Sequence, residues 1–196
     1  MANIYNLFKF LEDKEGTKTP FKLKLIYAPD TLTPDDLKVE GNLDLSNTPI
    51  TSLPDGLEVR GSLDLRNTKI TSLPDGLKVG DHLYLENTPI TSLPDDLEVG
   101  DYLDLSNTKI TSLPDGLKVG GNLSLSGTAI TSLPDDLEVG GDLNLYPTPI
   151  TSLPDGLKVG GHLYLINTPL SKKYTEDKIR KMIEDKGGEI KRNIFI

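Results

Sequence analysis

Carboxylates that repeat at a fixed interval are the first residues of this sequence that could do chemistry. Asp44 and Asp64 lie in two copies of "LDL" that are twenty residues apart. In stacked coils their side chains would stand about 5 Å apart, the separation of the two carboxylates in a retaining glycosidase. Such an enzyme needs a cleft with unlike surroundings for its two carboxyls, whereas these two are expected on an open sheet. We therefore interpret them as part of a solvated acidic surface.

The two histidines do not form a site with each other. His82 and His162 occupy equivalent positions four repeats apart, a distance of roughly 19 Å at the usual strand spacing, so they cannot ligate one metal ion together. Cysteine is absent, and so are the GxxxxGK[ST], GxGxxG and GxSxG motifs of nucleotide-binding and hydrolytic sites. We expect no enzyme activity, no catalytic residues, no metal and no cofactor.

The charge of the chain bears on its partners and location. The 196 residues carry a formal net charge of −9, and an acidic protein does not neutralise phosphates, so we expect no nucleic-acid binding. The N-terminal residues lack a basic region followed by an apolar run, and no segment approaches the length of a membrane span. We expect a cytoplasmic protein that binds no membrane, since the lack of cysteine fits a reducing compartment.

A repeat of 20 residues organises most of the chain, and the first full copy reads "GNLDLSNTPITSLPDGLEVR". Self-similarity at a short fixed period is typical of solenoids. In the degenerate first copy, "FKLKL" places Leu23 and Leu25 in register with Leu43 and Leu45. The predicted units are a capping helix over 1–20, a degenerate copy over 21–40, six full copies over 41–160, a half copy over 161–170 and a C-terminal cap over 171–196.

The apolar residues within one copy predict how a coil is built. Leu57, Val59, Leu63 and Leu65 share parity, so an extended chain would turn all four toward the core. The segment "LPDG" that follows Ile70 is typical of a type I turn. One coil alone buries too little apolar surface to offset the ordering of twenty residues, whereas stacking buries both of its sides. These features predict a β-rich solenoid with a parallel sheet along one face.

The segment "LDLSNTPITSLP" resembles the LxLxxNxLxxLP core of the leucine-rich repeat family. This resemblance covers most of the repeats and implies a parallel sheet on one concave surface. Two features depart from the family. Thr48 and its equivalents occupy the position of the family's buried Asn, and Val59 lies four positions before the LxL motif instead of three. A parallel β-helix therefore stays open as the alternative fold.

The "TSLPDGL" coils and the tail "SKKYTEDKIRKMIEDKGGEIKRNIFI" are also similar to repeat proteins of tailed bacteriophages and some bacteria. This second resemblance implies a bacteriophage or bacterial origin. It implies no particular activity.

One column of charged residues predicts that the coils stack in register. Its members alternate in sign: Glu58, Lys78, Glu98, Lys118, Glu138 and Lys158. Stacked strands would place opposite charges beside each other, and a slip by one coil would pair like charges. We interpret this column as structural.

Helical patterns at both ends predict caps for the apolar ends of the solenoid. "NIYNLFKFLEDKEG" has Ile4 and Phe8 at helical spacing, and "TEDKIRKMIEDKGG" starts at Thr175 and places Ile179 and Ile183 on one side. The last residues, "EIKRNIFI", are expected to form a final strand. We therefore predict a helical N-terminal cap and a helix-plus-strand C-terminal cap.

Most of the sequence variation among copies falls on the outward positions beside the core leucines. Drift on an unselected surface would vary in the same way, but this strip gathers four of the seven tyrosines, and Tyr and Arg are typical of interface hot spots. We therefore predict a non-catalytic module that binds another protein through this face and is itself a monomer. A structural or self-assembling repeat protein is the alternative. The predicted partner-binding residues are Arg66, His82, Tyr84, Glu86, Tyr102, Asp104, Tyr146, His162 and Tyr164.

Overall fold

The computed structural model describes residues 21–196 and shows a β-solenoid with 20-residue coils. This confirms the predicted fold class. The predicted helix over residues 1–20 lies outside the described residues. The helices are α1 (Phe21–Tyr27), a short 3-10 helix (Pro29–Thr31), α2 (Pro169–Lys173) and α3 (Glu176–Asp185). Within residues 21–196, no helix has the length and apolar character needed to cross a membrane.

Two parallel sheets run along the solenoid, and each takes one short strand from every coil. The first sheet contains Lys38–Val39 (β1), Glu58–Val59 (β3), Lys78–Val79 (β5), Glu98–Val99 (β7), Lys118–Val119 (β9), Glu138–Val139 (β11), Lys158–Val159 (β13) and Glu189–Ile190 (β15). The second sheet contains Leu43–Asp44 (β2), Leu63–Asp64 (β4), Leu83–Tyr84 (β6), Leu103–Asp104 (β8), Leu123–Ser124 (β10), Leu143–Asn144 (β12), Leu163–Tyr164 (β14) and Ile194–Phe195 (β16).

The sequence predicted one sheet, and the second sheet arises because each coil turns a corner between its two strands. The corner lies between Val59 and Leu63 in one coil, and both of these side chains are buried. Every second residue therefore points inward on both sides of the corner, although the residues before and after it belong to different strands. The core leucines, valines and isoleucines of all coils form one continuous apolar cluster.

Two polar columns support the turn that follows the second sheet. The hydroxyl of Thr68 donates to the carbonyl of Leu65 at 2.7 Å, and its equivalents do the same in their own coils. Asn67, at φ 57°, adopts the left-handed conformation that the turn needs. Its amide donates to Asn47 at 3.2 Å, and the amide of Asn87 donates to Asn67 at 3.2 Å. The Thr hydroxyls therefore act within one coil, while these Asn side chains connect neighbouring coils.

The predicted charge column forms the outer surface of the first sheet in the expected register. The structure extends the column at both ends, where Lys38 pairs with Glu58 and Lys158 pairs with Glu189. Two of the pairs make ion contacts: Lys78 Nζ lies 3.0 Å from Glu98, and Lys158 Nζ lies 2.7 Å from Glu138. These contacts raise the pKa of both lysines and lower that of Glu138.

The start of the degenerate copy differs from the prediction. Residues "FKLKL" belong to helix α1 and not to a strand, so Leu23 is exposed while Leu25 is buried. A helix places Phe21 and Leu25, four residues apart, on one side, where both pack on the core. It also satisfies its own backbone, whereas a terminal strand would leave one edge unpaired. The second half of this copy forms β1 as the alignment of Val39 with Val59 predicts.

The C-terminal cap completes both sheets. Helix α3 is capped by the hydroxyl of Thr175 and buries Ile179 and Ile183. The predicted single final strand is in fact two strands, β15 and β16, which add to the first and the second sheet. Arg180 joins the helix to this last coil by donating to the carbonyls of Ile190 and Arg192 at 3.0 and 2.8 Å.

The glycines at the corner between the two strands of a coil, which we call the glycine corner, generate a prediction on packing. A Cβ on Gly120 would overlap the backbone carbonyl of Gly100 in the preceding coil. A Cβ on Gly41 would have nothing within 4 Å. We expect Gly120→Ala to lower the free energy of unfolding by about 1–3 kcal/mol, the usual cost of overpacking. Gly41→Ala is the control and should be close to neutral. Denaturant unfolding of both variants measures this, and equal stabilities would contradict it.

The charge column generates a second prediction. Glu98→Lys places a lysine between Lys78 and Lys118, its register partners. We expect a lower melting temperature than for Glu98→Gln, which removes the attraction without adding repulsion. The difference should disappear near 1 M salt, where the screening length falls to about 3 Å. Thermal unfolding at low and high salt measures this, and a difference that is independent of salt would rule out an electrostatic role.

Candidate functional site

The outward residues of the second sheet form what we call the variable face. Each coil contributes three side chains: one just before the strand, one at its second residue and one just after it. In the coil of β6 these are His82, Tyr84 and Glu86, all half-buried. The nine residues predicted from the sequence all lie on this face, in two groups separated by the coil of β10.

The first group is built around Tyr84. The rings of Tyr84 and Tyr102 meet edge to face with centroids 5.8 Å apart, and His82 contacts both of them at 5.7 and 6.3 Å. The guanidinium of Arg66 lies 5.1 Å from the centroid of Tyr84 and is held by Asp64. Hydrogen bonding to that carboxylate raises the pKa of Arg66. Arg66 is therefore already paired and oriented in the free protein.

The second group lies at the C-terminal end of the face. Tyr164 stacks on Phe195 with centroids 4.9 Å apart, and His162 lies 5.3 Å from the same phenyl ring. Tyr146 and Ile166, which follow their strands, are exposed by 42% and 39% of their surfaces. Together with the exposed Phe195, these side chains form a small apolar surface next to the stacked rings.

A groove of about 380 Å³ separates the two groups. Tyr102 lines one side, Tyr146, Tyr164 and Ile166 line the other, and Ser124 and Asn144 lie at its base. The groove exists because Ser124, which is buried, stands where the coil of β6 has a tyrosine. The Ser124 hydroxyl is fixed by that of Ser106 at 2.8 Å.

The residues just before the strands have a structural role that the sequence reading missed. In most coils this side chain accepts a hydrogen bond from the backbone N–H of its equivalent in the next coil. Asn122 and Asp142 accept such bonds at 2.7 Å, whereas Nδ1 of His82 accepts from Tyr102 at 3.4 Å. Nδ1 of His162 accepts from Asn193 at 3.2 Å. Both histidines thus hold the backbone, and their predicted role in partner binding stays a prediction.

The carboxylates of the second column also serve the backbone. Asp104 accepts the N–H of Ser106 at 2.9 Å, and Asp64 accepts that of Arg66 at 3.0 Å. Asp44 accepts both the hydroxyl and the N–H of Ser46, which lowers its pKa. A general acid needs a raised pKa, so this environment does not favour that role for Asp44.

The variable face is acidic as well as aromatic. Among its outward residues in the coils of β2 to β14, the acidic side chains outnumber the single cation, Arg66, which Asp64 already neutralises. Among the hydrogen bonds of the described residues, the carboxylate of Glu86 accepts only one, from the side-chain amide of Asn87 at 3.4 Å. Three acids adjoin the tyrosines without an ion pair to a Lys or Arg of residues 21–196: Glu86, Asp104 and Asp142.

Three residues of the site were not singled out from the sequence. Ile166 and Phe195 do not belong to the residue types enriched at hot spots, and "EIKRNIFI" departs from the 20-residue spacing of the repeats. The pairing of Tyr164 with Phe195 shows that this segment continues the second column. Ser124 could have been found as the smallest residue of that column.

No protein-family model matches the chain, and a search of the curated proteins also finds no match. The resemblance to leucine-rich repeats therefore rests on the residues of the repeat.

The environment of Tyr102 generates a pH prediction. Its half-burial, with the neighbouring charge of Asp104 adding to it, raises the pKa of Tyr102 above the ordinary 10.0. The folded state therefore favours the neutral phenol, so this contribution to stability is complete below pH 10 and is lost as the pH rises further. We expect Tyr102→Phe to lose less stability than wild type above pH 10. Denaturant unfolding across that range measures this, and identical alkaline losses would contradict it.

Proposed function

We propose that this protein is a non-catalytic module that binds another protein through its variable face. The observation that carries the proposal is the groove beside Ser124, with Tyr102 on one side and Tyr146, Tyr164 and Ile166 on the other. Tyrosines supply large contact areas with few rotatable bonds and are enriched at binding hot spots. The exposed Ile166 and Phe195 continue the apolar surface beyond the groove.

Preorganisation supports the same proposal. Tyr84, Tyr102 and Arg66 hold each other through ring and cation contacts, and Tyr164 is held by Phe195. Side chains that are already ordered lose less entropy when a partner docks. Ser124 and Tyr164 lie on paired strands, and Tyr102, Tyr146 and Ile166 are within two residues of one, so the strands position the groove.

The charges of the face indicate the chemistry of the partner. The acids near the tyrosines, Glu86, Asp104 and Asp142, favour a segment that carries Lys or Arg next to apolar side chains. The apolar side chains would fill the groove, and the basic ones would meet the acids at its rim. We place this interaction in the cytoplasm, because the chain has no cysteine. The similarity of the "TSLPDGL" coils to bacteriophage proteins favours a host protein as the partner.

Self-assembly is the second candidate, because the exposed Tyr146, Ile166 and Phe195 could also bury one another between two copies. The acidic face argues against this, since two copies would bring like charges together. Sedimentation velocity over a range of concentrations separates the two. A binding module stays monomeric, whereas an assembling protein gains mass with concentration.

The experiment that tests the proposed function compares three immobilised proteins in a lysate of the native host: wild type, Tyr146→Ser/Ile166→Ser and Tyr27→Ser. The first pair of residues lies at the groove, and both are exposed, so the fold should tolerate their replacement. Tyr27 is 53% exposed and belongs to helix α1, which precedes the first coil and does not line the groove, and this makes it the matched control.

We expect a protein that wild type and Tyr27→Ser retain and the double variant loses. With that partner purified, its affinity for the double variant should fall at least about ten-fold, as for interface hot spots. Ser124→Tyr, which fills the groove, should have the same effect. Equal retention by all the variants, or no specific protein on wild type, would refute the proposed face.

A further inference from the structure

Asp81, His82 and Asp101 bring three metal-ligand atoms together beside the variable face. Nδ1 of His82 lies 3.4 Å from Asp81 Oδ1 and 3.4 Å from Asp101 Oδ2, and all three atoms lie within 4.8 Å of one another. Among the residues that the structure describes, 21–196, this is the one such group. Asp101 lies 19 residues after His82 in the sequence, so only the stacking of the coils brings the three residues together.

The two aspartates are exceptions to the repeat. The position they occupy is glycine in the other full copies and in the half copy: Gly41, Gly61, Gly121, Gly141 and Gly161. The fold therefore does not require a carboxylate there. The two exceptions stand in successive coils: Asp81 directly precedes His82, and Asp101 lies in the next coil. The glycines are thus replaced by aspartates beside this histidine.

The distances fit a tetrahedral metal site. Bonds of about 2.0–2.1 Å at tetrahedral angles separate neighbouring ligand atoms by roughly 3.3–3.4 Å. Nδ1 lies at this distance from each carboxylate oxygen, and the two oxygens lie within 4.8 Å of each other. The hydroxyl of Ser62 donates to Asp81 Oδ2 at 3.1 Å. This contact orients Asp81 and leaves its Oδ1 toward the histidine, as the partners of metal ligands do.

Within residues 21–196, the two carboxylates of the cluster are not neutralised by a basic side chain other than His82. No Lys or Arg of residues 21–196 forms an ion pair with Asp81 or Asp101. The N–H of Tyr102 approaches Nδ1 of His82 at 3.4 Å, far longer than the 2.7 Å bond of the equivalent Asn122. Because that hydrogen bond is weak, a metal ion can compete for the same lone pair.

We infer that Asp81, His82 and Asp101 bind a divalent transition-metal ion of the Zn²⁺ type. One imidazole and two carboxylates suit Zn²⁺, while Mg²⁺ and Ca²⁺ prefer oxygen ligands alone. Three protein ligands leave one position open to water. The ion neutralises the two carboxylates and ties two successive coils together.

The test is calorimetric titration of the purified full chain with Zn²⁺ alone. Four proteins are compared: wild type, Asp81→Gly/Asp101→Gly, His82→Asn and His162→Asn. Glycine is the residue that the other copies have at the aspartate positions. Asn42 and Asn122 occupy the histidine position in their own coils and accept the same backbone hydrogen bond, so we expect all the variants to fold. His162 is the matched control because Gly161, and not an aspartate, precedes it.

We expect one equivalent of Zn²⁺ on wild type and on His162→Asn. The other two variants should bind at least about ten-fold more weakly, as expected when a metal site loses a ligand. Co²⁺ in place of Zn²⁺ should give the visible spectrum of a tetrahedral site only in the two proteins that bind. Zinc affinities that are equal in all four proteins, or a wild type that binds none, would overturn the inference. Circular dichroism of each protein verifies that the variants are folded.

Discussion

Backbone hydrogen bonds between residues 19 to 21 positions apart hold each repeat coil to the next, and the other features of this molecule depend on them. Leu63 donates to the carbonyl of His82 at 2.8 Å, and Gly80 donates to that of Val59 at 2.8 Å, one bond for each sheet. Since equivalent backbone positions pair, every side chain stands next to its own counterpart. The inner columns must therefore stay apolar and the glycine corner must stay small, because any change meets the same residue in the next coil.

Backbone hydrogen bonds also constrain which residues can occupy the outward positions of the second sheet. Asn122 and Asp142 bond to the next coil, and Asp64 and Asp104 close the turn of their own coil. A polar acceptor at these positions is explained by the backbone alone. Tyrosine at the same positions is not, because its hydroxyl lies too far from the main chain. The backbone thus accounts for the acceptors among the outward residues, whereas the tyrosines contact side chains of neighbouring coils instead.

The features that the sequence predicted correctly are those that each coil repeats. The 20-residue period, the buried leucines and the register of the charge column depend only on equivalence between copies. The second sheet was missed because the corner near Gly61 keeps the inward parity of the residues on both sides. Helix α1 was missed because Phe21 and Leu25 suit a strand and a helix equally. The groove depends on neighbours in three coils, so the single small residue Ser124 did not reveal it.

Departures from the repeat are therefore more informative in this chain than the repeat itself. Tyr102 stands where other coils have a hydrogen-bond acceptor, Asp81 and Asp101 stand where they have glycine, and Ser124 stands where they have a larger side chain. The carboxylate of Asp101 fills the space over Gly121, whereas the residue just before the strand, Asn122 or Asp142, fills the space over Gly141 or Gly161. All four departures fall in three successive coils, between residues 81 and 124. Stacking alone favours glycine at the positions of Asp81 and Asp101 and a hydrogen-bond acceptor at that of Tyr102, so the clustering of these departures supports the two sites proposed above.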